Sequence, residues 1–323
     1  MRFLARRLFH SIFLLLGISL LSFVFLQLAP GSFFDEMRLN PQISRHTVVQ
    51  LSRQYGLDQP LPVRYLSWLK AASKGDLGVS FAYNVPVAPL LWTRARNTLI
   101  LTGLAMALSW MIALPLGVVS GGVRHRWIDH ATTLLTSMLM VTPDLLLALG
   151  LLWLALRTHW FHAGGMLSSR SANADEWVQF KDLAQHLFAP VVVLVLGSLP
   201  ILLRHTRAAM VEALQRPHVQ AARSLGIPYF RILFRHALPA AAAPLISLAG
   251  LSVASLLSTS LLIEVVMNWP GLGPLLLEAI QARDVYVVIG AVMFSALFLV
   301  GGMLLADFLL FLVDPRIRTG DLA

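Results

Sequence analysis

Apolar residues in this chain run in long stretches instead of alternating with polar ones. Six stretches are long enough to cross a hydrocarbon layer about 30 Å thick: residues 8–28, 97–120, 131–156, 187–203, 241–264 and 286–313, of which 187–203 is the shortest. Pro115, Pro143, Pro190 and Pro200 lie in or at the ends of these runs. A helix bundle tolerates them where neighbours satisfy the freed carbonyls. The pattern predicts an all-α integral membrane protein of about six transmembrane helices, with a long segment after the first.

Basic residues flank the stretches in an ordered way. Arg2, Arg6 and Arg7 precede the first; Arg124 and Arg126 follow the second. Arg204, Arg207, Arg216, Arg223, Arg231 and Arg235 cluster between the fourth and fifth, and Arg316 and Arg318 end the chain. By the positive-inside rule all of these are expected in the cytoplasm, with both termini. The basic N-terminus followed by an apolar run also raises a cleavable signal peptide. The run 9–28 is longer than a signal h-region and has no A-x-A site before Pro30-Gly31, so it is kept as a span. The expected organisation is an N-terminal transmembrane helix (1–29), a periplasmic loop region (30–96), a five-helix core (97–314) with a cytoplasmic loop at 205–240, and a cytoplasmic tail (315–323). The outer segment 30–96 carries turn chemistry at Asp58-Gln59-Pro60-Leu61-Pro62 and Gly75-Asp76-Leu77-Gly78, and the segment 157–185 reads as a loop.

Composition narrows the function. The chain is 57% hydrophobic and 13% charged, so most of it belongs in lipid. Lys+Arg number 25 against 16 Asp+Glu, but the excess borders apolar segments and does not form the basic face that a nucleic-acid binder needs. With no cysteine there is no disulfide and no thiolate chemistry. No G-x-x-x-x-G-K-[ST] is present to cradle nucleotide phosphates, and no H-E-x-x-H. The ten histidines are scattered and read as interfacial side chains, so no metal site and no catalytic residue is expected.

Three acids lie in or at the edge of apolar runs, where a carboxylate is costly. Asp307 is expected to pair with a nearby arginine. Glu264, just before a turn, suits a structural bond or a substrate contact, and Asp144, beside Pro143, suits either a pathway lining or a buried structural role. The most specific local feature is Gln220-Ala221-Ala222-Arg223-Ser224-Leu225-Gly226, followed by His236-Ala237-Leu238-Pro239. A short helix over 219–225 stopped by Gly226 before Pro228 makes a stiff knob, or a plain helix–turn–helix between spans.

These residues resemble the permease subunits of binding-protein-dependent ABC importers, in the dipeptide, oligopeptide and nickel branch. The resemblance rests on the Ala221-Ala222…Gly226…Leu238-Pro239 spacing, Arg6-Arg7, Leu28-Ala29-Pro30-Gly31, Tyr55-Gly56-Leu57-Asp58-Gln59-Pro60-Leu61 and Gly75-Asp76-Leu77-Gly78-Val79-Ser80. Trp269-Pro270-Gly271-Leu272-Gly273 and Asp314-Pro315-Arg316-Ile317-Arg318 extend it along the chain. Gln220, Ser32 and Arg283-Asp284-Val285-Tyr286 depart from the usual pattern.

The resemblance implies a type I importer permease fold. It implies an ATPase-coupling role for Gln220, Ala221, Ala222, Arg223, Gly226, His236, Leu238 and Pro239, and an outer gate or turn at Trp269, Pro270, Gly271 and Gly273. It further implies a second homologous permease subunit, two ATPase subunits carrying ATP and Mg, and a periplasmic or lipid-anchored solute-binding protein, with no cofactor bound by this chain. The alternative is a secondary transporter or channel using Asp144 and Glu264 as ion sites. Such folds often carry inverted repeats, which this sequence lacks.

Overall fold

The computed structural model describes residues 2–28, 46, 50, 59–122, 126–168, 171 and 174–313. The motifs at Ala29-Pro30-Gly31 with Ser32, Tyr55-Gly56-Leu57-Asp58 and Asp314-Pro315-Arg316-Ile317-Arg318, and the tail 315–323, lie outside the described residues. The described residues are helical almost throughout: α1 (Arg2–Leu28), α2 (Leu61–Ala72), α3 (Val87–Gly122), α4 (Arg126–Val141), α5 (Asp144–Thr158) and α6 (Glu176–Leu214). Then follow α7 (Pro217–Ser224), α8 (Tyr229–Ile232), a π-helical turn (Leu233–Ala237), α9 (Leu238–Ala240), α10 (Ala242–Val266), α11 (Leu272–Gln281) and α12 (Val285–Val313). Among the described residues five helices are long and apolar enough to cross a membrane, or up to six if a bent pair counts as one span.

Several expectations change. The third apolar stretch is not one helix: it breaks at Thr142-Pro143, where the halves His130–Val141 and Asp144–Thr158 meet at 93°. Proline has no N–H and its ring clashes with the preceding turn, so Pro143 caps α5 instead of continuing α4. The fourth stretch, the shortest apolar run, lies within a much longer helix. α6 runs for 39 residues, and 67% of its apolar window is buried, against 11 to 33% in the other crossing helices. Its first turns, 176–185, are the part read as loop. α3 likewise starts at Val87, ten residues before the expected boundary at 97, and the ten-residue α11 was not expected.

The chain divides into two compact units. The first contains Met1–Arg7, Thr98–Trp269 and Leu299–Ala323. Here α6 packs against α4, α5 and α10. Small residues let the backbones close in, as helix association in lipid requires. A Cβ on Gly117 would lie 2.6 Å from Thr206 Cβ, one on Gly121 2.9 Å from the Arg207 carbonyl oxygen, and one on Gly250 2.7 Å from Ala306 Cβ. Interhelical polar contacts add to this: Ser109 and Ser198 hydroxyls lie 2.7 Å apart, and Trp110 Nε1 donates to Ser252 Oγ at 3.2 Å. Asp307 finds its arginine, with Arg7 Nε 3.3 Å from Oδ2.

The second unit contains Leu8–Asn97 and Pro270–Phe298. Its core joins Phe23 of α1, Trp68 of α2 and Ile289 of α12, with Tyr65 and Tyr286 packed around them. Tyr65 Oη and Ser19 Oγ, 3.0 Å apart, tie α2 to α1.

Candidate functional site

The loop between α6 and α10 is built in steps that the sequence accounts for. Pro217 opens α7 at a position where its missing N–H costs nothing. Val219 and Ala222, three residues apart on one face, are buried, and Val219 joins a core with Met210, Ala213, Ile232, Leu233 and Ala237. Gln220, Ala221, Arg223 and Leu225 face outward, and Leu225 is 81% exposed. Gly226 then takes φ +75°, the left-handed geometry expected of it, and Pro228 starts α8. α7 starts two residues before and ends one residue before the expected 219–225.

The C-terminal half of the motif is a π turn. Pro239 has no N–H and would clash with the carbonyl four residues back, and the chain answers by widening one turn: Leu238 N–H donates to the Leu233 carbonyl five residues back. Tyr229 Oη donates to the Gly122 carbonyl at the end of α3, and the Phe230 and Phe234 rings pack at 4.6 Å. The knob is therefore anchored from beneath by buried aliphatics and a phenol. Its outer surface carries Ala221, Arg223, Leu225 and Phe230, with His236 and Leu238 half-buried and Pro239 exposed. Of the two alanines only Ala221 is presented outward; Ala222 is 6% exposed and belongs to the packing beneath.

The acids separate into different roles. Asp144 is not mid-helix. It opens α5 at the bend, half-buried, and a Cβ on Gly197 of α6 would meet its carboxylate. The first turn of a helix favours a carboxylate. Glu264 is fully buried in α10, and its carbonyl accepts the Trp269 N–H at 2.8 Å, closing the turn that follows. Trp269 is fully buried in a core with Ile263, Met267 and Leu187. Pro270, across the unit boundary in the chain, accepts from Asn97 Nδ2 at 2.8 Å; Gly271 caps α11 and Gly273 is buried in its first turn.

Two groupings were not legible as sites in the sequence. In the second unit the buried Asp284, at the start of α12, receives Ser80 Oγ at 2.6 Å and the Ala82 N–H at 3.0 Å. It thereby fastens the turn 75–86, whose Gly75 and Gly78 have φ of +85° and +95°. Tyr83 in that turn donates to Glu278, and burial, reinforced by this carboxylate, pushes its phenol up to about 12. In the first unit His162, Asp182 and His186 come together, although the histidines were expected to stand apart. The only local trace is the four-residue spacing of Asp182 and His186, which puts them on one helix face.

Among the described residues, polar side chains buried between apolar helices and a crossing count of five or six mark a multi-pass membrane protein. The chain belongs to the family described as binding-protein-dependent transport system inner membrane component, matched over residues 113–319, with the N-terminal part of the same description matched over 1–102. It is 35% identical over 320 residues to the oligopeptide transport system permease protein AppB of Bacillus subtilis, covering 98% of this chain and 99% of that one. It is 32% identical over 336 residues to the dipeptide transport system permease protein DppB of Escherichia coli K12, with the same coverage. A solved structure titled as inward-facing conformations of the MetNI methionine ABC transporter shares the fold, with a TM-score of 0.53 and 19% identity over 70% of this chain and 96% of that one.

Proposed function

We propose that this chain is one permease subunit of an ATP-driven importer of peptides or similar small solutes, forming half of the pathway. It pairs with a second homologous permease, takes its driving force from two ATPase subunits that hold ATP and Mg, and receives solute from a periplasmic or lipid-anchored binding protein. It binds no cofactor and performs no covalent step itself. The observation that carries this reading is the α7 knob: a short helix braced on the bundle by Val219 and Ala222, with Ala221, Arg223 and Leu225 left to face a partner. The relatives named for oligopeptide and dipeptide transport support the solute class. The arginines support a cytoplasmic side for this loop and for both termini. The turn 75–86 and α11 then belong to the outer side, together with the turn at Trp269, Pro270, Gly271 and Gly273, and the bend at Asp144 lines the pathway.

Co-expression with the ATPase and second permease encoded beside it tests this. The complex is expected to co-purify and to hydrolyse ATP faster when the binding protein and a peptide are added. A stable complex whose hydrolysis no binding protein stimulates counts against it.

A further inference from the structure

We propose that His162, Asp182 and His186 form a binding site for one divalent transition-metal ion of the zinc type, which clasps the loop following α5 onto the start of α6. One ligand atom from each of the three lies within 4.8 Å of the other two. Asp182 Oδ1 is 4.0 Å from His162 Nε2. Ligands at about 2.0–2.1 Å around a tetrahedral zinc stand roughly 3.3 Å apart, so ligand atoms within 4.8 Å of one another must draw in by up to about 1.5 Å to close on an ion.

The supporting hydrogen bonds have the form such sites use. Asp182 is aimed by three donors: the Ser168 N–H at 2.6 Å and Ser171 Oγ at 2.5 Å on Oδ2, and Ser168 Oγ at 2.7 Å on Oδ1. Oδ1 keeps a lone pair toward the histidines. The buried His186 has Nδ1 2.8 Å from the Asp182 carbonyl, so this nitrogen carries the proton and Nε2 keeps the lone pair. Ligating histidines are commonly oriented by such a bond to a backbone carbonyl.

His162, on the loop, is held mainly by stacking on His186 with centroids 4.0 Å apart and planes 12° apart. Parallel rings must splay for their lone pairs to converge. His162 is the one able to move, because it is partly exposed while His186 is packed in the helix. Two imidazoles and a carboxylate suit Zn²⁺, Co²⁺ or Cu²⁺ and not the all-oxygen preference of Ca²⁺ or Mg²⁺. Three protein ligands leave a fourth position for water or a solute, and His162 and Asp182 line a cavity of about 580 Å³ with Val178, Lys181 and Gln185. Lys181 is exposed and can turn its ammonium to solvent.

An ion here would act on more than one loop. Gly165 N–H donates to the Met267 carbonyl at 3.2 Å, and a Cβ on Gly164 would meet that same oxygen at 2.6 Å. The clasped loop therefore rests on the turn that follows α10.

The test uses the full chain in detergent, freed of any histidine tag and stripped with chelator, titrated with Co²⁺ and then Zn²⁺. One equivalent of Co²⁺ is expected to give the visible absorption of a four-coordinate site, which Zn²⁺ abolishes, while proteolysis in the 159–175 segment slows. His162→Ala is expected to lose saturable binding without a change in the melting temperature measured in chelator. Ser171→Ala is expected to weaken binding roughly 10–100-fold. Should His162→Ala fold poorly, His162→Gln carries the same comparison. Wild-type protein that takes up no stoichiometric ion, or a folded His162 variant that binds as tightly as wild type, overturns the proposal.

Discussion

If α7 transmits force to an ATPase, its outward and inward faces must respond differently to charge. Leu225 is 81% exposed, so Leu225→Asp leaves the isolated chain within about 0.5 kcal/mol of wild type. Burying a leucine is worth roughly 1.5–3 kcal/mol, and covering most of this side chain in a partner groove about 2 kcal/mol. Losing that corresponds to about 30-fold in affinity, since 1.4 kcal/mol is tenfold. Ala222→Glu acts the other way. At 6% exposure it places an unpaired charge beneath the helix and costs the chain itself about 3 kcal/mol or more, so the knob comes loose before any partner arrives. The assay is an ATPase titration against permease reconstituted in nanodiscs, alongside thermal melts of each variant. The expected outcome is a normal melt with about 30-fold weaker binding for Leu225→Asp and a lowered melt for Ala222→Glu. Leu225→Asp that binds within twofold of wild type refutes the contact face assigned here.

Reporter fusions near Gln215 and at Ala323 are expected to give the cytoplasmic signal and one near Ala72 the outer signal. If the 93° pair re-enters without crossing, Gln215 and Ala323 switch sides together, because five crossings replace six. Gly117→Val is expected to lower stability by about 1–3 kcal/mol, read as a drop in melting temperature, because even a Cβ there is 2.6 Å from Thr206; an unchanged melt contradicts that packing. Tyr83 is expected to ionise near pH 12 and not 10, seen as the phenolate absorbance lost in Tyr83→Phe. Because its folded pKa is raised, the stability it contributes is intact below pH 10 and is lost as pH rises toward 12; ionisation near 10 contradicts the burial and the Glu278 bond.

The spans were legible because crossing lipid demands a run of apolar residues that no other constraint produces. What hydropathy could not carry is direction: the bend at Thr142-Pro143 lies between two apolar halves, so a single window covers both. The opposite error occurred at 176–185, where Glu176, Lys181 and Asp182 look like loop chemistry, yet the helix simply begins outside the apolar window. Gly226 was readable because a glycine ahead of a proline at a helix end has few other uses. The bond of Asp284 was not, since its partner Ser80 is 204 residues away and neither local motif says that the two meet.

The two alanines of the knob mark the limit more sharply. Ala221 and Ala222 are identical in size and hydropathy, so composition cannot say which one a partner meets. The phase is set by Val219, three residues before Ala222, which packs with Met210 of α6 and Leu233 of the π turn. That turn exists because Pro239 cannot donate a hydrogen bond. The orientation of the proposed contact face thus depends on a widened turn that begins nine residues after α7 ends.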